Sequence, residues 1–184
     1  MQKLTIMKRL FYPIVALGIL VISGAMTLTA PTYTIKSGYN VEFKSKDPSG
    51  IFKTLKGTVL FDENDLATSK LNFTIPVESI STGNGMMNKK AQIEEWFNSE
   101  KYPDIKFASS KIEKSSDGFL VSGTLTIKGT SKEKKIPMKV IKAGNDLTFT
   151  GTFPVNRMDF KVGHKSDAVP DIMSITYSIP VTKK

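Results

Sequence analysis

"GFLVSGTLTI", Gly118–Ile127, decides the fold. Phe119, Val121, Gly123, Leu125 and Ile127 fall on one side of an extended chain, with Leu120, Ser122, Thr124 and Thr126 on the other. A period of two sustained over this segment argues against a helix, whose apolar positions recur every three or four residues. The same alternation runs through Tyr39, Val41 and Phe43, through Leu71, Phe73, Ile75 and Val77, and through Ile136, Met138 and Val140. It returns in Leu147, Phe149, Gly151, Phe153 and Val155, and again in Met173, Ile175, Tyr177 and Ile179. Segments 52–61 and 104–112 bring the candidate strands to eight.

Short connections rich in turn residues separate them: Asp47-Pro48-Ser49-Gly50, Asp62-Glu63-Asn64-Asp65, Ser115-Ser116-Asp117-Gly118 and Ala143-Gly144-Asn145-Asp146. Hairpins in series make an antiparallel meander. Eight strands with one apolar face each pair as a sandwich or close into a barrel. The long aromatic faces favour a barrel, and eight strands leave room for one ligand.

One stretch breaks the pattern. Between Gly83 and Pro103, residues Met86, Ile93, Trp96 and Phe97 fall at helical spacing, predicting a short helix over Asn84–Ser99. With no second helix to receive it, that face must lie on the sheet or across an open end of the barrel.

The chain starts as an export leader does. Lys3, Lys8 and Arg9 precede an apolar run from Leu10 to Ile22, and Ser23-Gly24-Ala25 supplies small residues for cleavage. Residues 1–25 are read as a signal peptide and 26–184 as one domain. The uncharged run from Arg9 to Lys36 is also long enough to span a bilayer, so an uncleaved leader would be an anchor. Losing the three basic residues lowers the formal net charge from +9 to +6. The lysines are scattered, which argues against nucleic acid as a partner. The dense run Lys132-Glu133-Lys134-Lys135 reads as a solvated turn. The absence of cysteine excludes a thiolate metal site and a lipidated leader.

Several segments together resemble the YceI-like family: Ser79–Asn84, Trp96-Phe97-Asn98, Lys101–Ser109, Gly123–Gly129 and Asn156–Phe160. Members are exported bacterial polyisoprenoid-binding proteins. The resemblance implies an all-β, eight-stranded antiparallel lipocalin-like β-barrel with one short helix packed against it. It also implies an elongated apolar interior that takes an isoprenoid tail, with the helix as part of the family's "FFD" segment. Three positions depart from the family pattern: Lys90 for a histidine, Asn98 for an aspartate and Lys161 for a glycine. They touch the polar features and leave the apolar ones intact.

The expected tail-binding residues are Val41, Phe43, Phe73, Ile75, Phe107, Phe119, Val121, Leu125, Ile127, Phe149, Phe153, Ile175 and Tyr177, with Trp96 and Phe97 from the helix. Arg157 and Asp159, two apart on an extended chain, form a polar pair that either fixes a strand end or reads a head group. No catalytic residue is assigned. The lone His164 lies in a polar loop, and Asp167 and Asp171 near it match no metal-ligand spacing.

The expected partner is therefore an isoprenoid-type lipid or quinone in place of a cofactor, with transient membrane contact and periplasmic or secreted localisation. Two other readings remain open: a barrel packed by its own side chains that serves as an envelope interaction protein, and a lipid-modifying enzyme. Oligomeric state is not legible.

Overall fold

The computed structural model describes residues 29–165 and 168–184. The leader and Asp167 lie outside the described residues. Eleven strand segments form one closed sheet: β1 (Thr32–Ile35), β2 (Asn40–Lys44), β3 (Ser49–Phe52), β4 (Lys56–Leu60), β5 (Lys70–Pro76), β6 (Ile80–Ser81), β7 (Asp104–Ser115), β8 (Gly118–Ile127), β9 (Thr130–Ala143), β10 (Asp146–Asn156) and β11 (Ile172–Lys183). β1–β2, β3–β4 and β5–β6 are each one bent strand, so the barrel has eight antiparallel staves.

Tyr33 closes the ring. It pairs with Lys183 of β11 on one side and Val59 of β4 on the other. This four-residue segment was not among the expected strands, being too short to show a period. The lysine run is a correction of another kind: Lys132–Lys135 lies inside β9, paired with Ser122–Leu125 of β8. The turn falls earlier, at Lys128-Gly129. Both residues have positive φ (47° and 70°), the left-handed pair that a tight two-residue hairpin requires.

The outer face is polar and the inner face apolar, as in β8, where buried and part-exposed residues alternate without a break. One end of the barrel is plugged. Phe61 lies edge-on between Phe119 and Phe149, with centroids 5.4 and 5.3 Å away. Phe119 is thus buried, but it belongs to this plug and not to the hollow above it.

The wall has one seam. β9 and β10 pair only from Asp146↔Ala143 to Thr150↔Lys139, and towards the other end they part. Two features explain the break. The next donor-bearing position on β9 is Pro137, which has no N–H. Its carbonyl instead accepts from the Tyr177 hydroxyl (2.8 Å), which reaches across β10 at Gly151. A Cβ on Gly151 would stand 2.2 Å from the Pro137 oxygen and 2.6 Å from the hydroxyl, so the crossing needs glycine. Burial pushes the Tyr177 phenol well above its ordinary pKa, so its proton is retained. A 3-10 turn, Arg157–Phe160, packs Phe160 against β9, with Lys134 over the Phe160 ring at 5.8 Å.

Candidate lipid-binding cavity

The helix α1 (Gly85–Gln92) is shorter than the periodicity suggests. Asn84 starts it by accepting from the N–H groups of Met86 (2.9 Å) and Met87 (3.2 Å). Asn88 ties it back by accepting from the Thr82 N–H and hydroxyl (2.8 Å each). Ile93 is extended and ends it, and Asn98 turns the chain at φ 51°. The expected single apolar face is therefore corrected. Met86 and Ile93 are exposed: the helix ends at Gln92, and the extended Ile93 no longer follows its spacing. Trp96 and Phe97 do reach the core, from the turn that follows. Phe97 stands edge-on to Phe52, 6.5 Å between centroids.

α1 and this turn lie across the end opposite the plug. Beneath them is a cavity of about 430 Å³, within the ~300–1,000 Å³ usual for ligand sites. Its walls include Val41, Phe43, Phe73, Ile75, Phe107, Val121, Leu125, Ile127, Phe149, Phe153, Ile175 and Tyr177, with Trp96 and Phe97 at the covered end. Every residue of the expected set except Phe119 is brought together there. Sequence reasoning left out Leu55, Leu71, Ile105, Met138 and Ile179, which line the same space. Leu71, Met138 and Ile179 stood on faces already read as apolar, so alternation carried the signal for them.

Few polar groups face the cavity, and most of them are spent on the protein. Arg157 is 4% exposed, and all five of its N–H groups are used. Nε donates to the Pro170 carbonyl, one terminal nitrogen to the Val162 carbonyl and the Met158 sulfur, and the other to the Val169 carbonyl and Asp171 Oδ1, at 2.9–3.2 Å. The expected Arg157–Asp159 pair does not form. A 3-10 turn replaces the extended chain at these residues, and Asp159 faces outward, 4.0 Å from Lys134. Arg157's partner is Asp171, and its work is to hold the loop between β10 and β11.

That loop meets the turn after α1. The Glu95 carbonyl accepts from the Gly163 N–H (3.0 Å) and from Lys128 Nζ (3.0 Å), which also donates to the Lys161 carbonyl. Desolvation lowers the Lys128 pKa, while the nearby Glu94, Tyr102 and Glu95 oppose the shift. His164 pairs with the Glu95 carboxylate at 2.6 Å. Trp96 fills the junction. Arg157 lies over its ring at 5.8 Å, and a Cβ on Gly163 would come within 2.8 Å of it. The indole nitrogen is covered by protein and has no hydrogen-bond partner.

The loop and turn thus close part of the end. The opening left lies among the solvent-exposed lining residues Asp47, Met87, Lys90 and Ala168, beside Pro48 and Val169. Among the described residues, no three His, Cys, Asp or Glu side chains gather as a metal site.

A model of the YceI-like domain matches residues 32–181. The chain belongs to the YceI-like family. A UPF0312 protein of Photorhabdus laumondii is 34% identical over 136 residues, covering 68% of this chain and 71% of its own. Protein YceI of Escherichia coli is 34% identical over 97 residues, about half of each chain (53% and 51%). Among solved structures, BcnA of Burkholderia cenocepacia superposes with a TM-score of 0.77 at 29% identity, covering 81% of this chain and all of BcnA. A polyisoprenoid-binding domain of Saccharophagus degradans superposes at 0.65 with 12% identity, covering 83% of this chain and 98% of its own, and shares the fold. Among the described residues, the YceI-like barrel in this chain is an eight-stranded closed one with one α-helix.

Proposed function

We propose that this YceI-like protein is an exported carrier that sequesters an isoprenoid-type lipid by burying its tail in the barrel, with no covalent chemistry. The observation that carries the reading is the cavity. It is apolar, closed below by the Phe61 plug and open at one end. A fully packed barrel would have no such space. Of the polar groups at its walls, Arg157, Tyr177 and Thr82 are engaged with the protein, while Asp47 and Lys90 stand exposed at the opening. The family and the polyisoprenoid-binding fold neighbour support the same class of ligand.

Energetics set how such a carrier works. Moving a tail from water would gain ~0.8 kcal/mol per methylene, and a long isoprenoid would exceed the roughly −20 kcal/mol limit on affinity. The relevant reference is therefore the bilayer, whose interior is about as apolar as the cavity. Exchange needs only near parity between the two, provided that the tail does not cross water on the way.

Native mass spectrometry of freshly purified protein, with lipid extraction, tests the reading. A bound species releasing an isoprenoid lipid is expected, on a chain whose mass lacks Lys3–Arg9. Added isoprenoid should also change the emission of Trp96, the only tryptophan, to saturation. Leu125→Trp, which fills the middle of the cavity, should abolish that uptake. Its cost is expected to stay within the ~1–3 kcal/mol of overpacking, because the new ring enters empty space. Full uptake by the filled variant would place the lipid elsewhere and end the proposal.

A further inference from the structure

We propose that the rim of the cavity opening docks on the surface of an anionic lipid bilayer, an inference that rests on the carrier reading above. The large exposed apolar side chains are not spread evenly over the barrel. Met86 (79% exposed), Met87 and Ile93 project from α1 and its end, Ile51 lies on β3 just past the Pro48 turn, and Ile172 (54%) opens β11 three residues after Val169. All five belong to the open end. Of the exposed large hydrophobics among the described residues, Ile141 alone lies towards the plugged end.

α1 is the unusual element. It buries no residue, yet Met87, Lys90 and Ala91 on it line the cavity. One helix therefore forms part of the opening and presents its remaining apolar side chains to the surroundings. Lys46, Lys89 and Lys90 flank the opening, and Asp47 is the one carboxylate among its described lining residues. Apolar tips with lysines beside them suit a headgroup layer that is negatively charged outside and apolar beneath.

The cargo selects this occupant over a protein partner. A tail passing between a bilayer and the cavity must leave one apolar phase directly for the other, which requires the opening itself to sit on the lipid. Lysines on the outer face of β9, such as Lys135 and Lys139, lie on the side wall away from the rim and are not part of this surface.

Flotation of the full mature chain with vesicles tests the proposal, using phosphatidylcholine alone and with one-quarter phosphatidylglycerol. Binding to the anionic vesicles is expected. Met86→Asn/Ile93→Asn/Ile172→Asn should reduce the bound fraction at least tenfold, and Lys46→Glu/Lys89→Glu severalfold. Ile141→Asn and Lys135→Glu/Lys139→Glu should bind as the parent does. None of the substituted residues lines the cavity, so every variant should still load an isoprenoid from detergent micelles. Loading without flotation by the parent overturns the docking surface and leaves the carrier reading intact. Failure of the parent to load overturns the carrier reading. Flotation lost equally in the β9 variant would show charge attraction without orientation and would also overturn the proposal.

Discussion

Replacing Arg157 by methionine is expected to lower stability by about 3 kcal/mol, although the methionine fills much of the same space. The cost comes from what is left behind. A buried cation that uses five N–H groups holds three carbonyls and a carboxylate in the loop between β10 and β11. Removing one partner of a buried charged network typically costs ~3–5 kcal/mol. The lower end applies here because Asp171 is 37% exposed and recovers water. At ~2–4 °C per kcal/mol for a chain of this size, the melting temperature should fall by roughly 6–12 °C. Arg157→Lys should recover little, since an ammonium has three donors and no planar fork. A loss below 1 kcal/mol for the methionine variant would mean that the loop carbonyls are served by solvent and that Arg157 does not hold the loop.

Phe149→Ala should be at least as damaging. Phe149 is 1% exposed, stands edge-on to Phe61 at 5.3 Å and also forms part of the cavity wall. Truncating a buried phenylalanine costs ~3–5 kcal/mol, with the larger values where neighbours cannot collapse into the gap. Collapse is hard here because strand ladders fix the backbone on both sides of β10 at this level: Phe149 pairs with Val140 and with Ile179. The urea midpoint should fall with little change in slope. If the variant keeps its midpoint, the plug is not a packed core, and the cavity runs through to the far end.

Alternation made the barrel legible. The inward sides of β2, β5, β8, β10 and β11 follow directly from it, because a strand's register is fixed wherever one face is buried. It failed where local pattern underdetermines structure. β1 is four residues long, and what makes it a strand is its pairing with Lys183 and Val59, far away in sequence. Lys132–Lys135 looked like a turn because outward strand positions and loops share a polar composition.

The helix shows the opposite error. Met86 and Ile93 match helical spacing with Trp96 and Phe97, yet Ile93 ends α1, and spacing beyond a helix end carries no information. Arg157 was rightly singled out and wrongly paired. Asp159 is nearer in sequence, but the 3-10 turn rotates it outward, and Asp171 arrives only when the following loop folds back. The cavity walls were readable; their opening was not, because it is defined by residues from separate loops.

The seam between β9 and β10 makes the container compliant. A fully laddered barrel cannot change its girth without breaking hydrogen bonds along a whole strand, whereas this one is held beyond Thr150 by a tyrosine hydroxyl and a packed turn. On the proposed carrier function, it is expected to spread along that one line for a thicker tail and close again for a thinner one. Amide exchange should make the difference visible. By alternation from Pro137, the N–H groups of Ser131, Glu133 and Lys135 face the gap, while those of Lys134, Ile136 and Met138 face β8. The first three should exchange markedly faster than the second three, and Gly151→Val, which blocks the hydroxyl's crossing, should widen the contrast. Faster exchange along the seam would give the proposed carrier a calibre set by its contents.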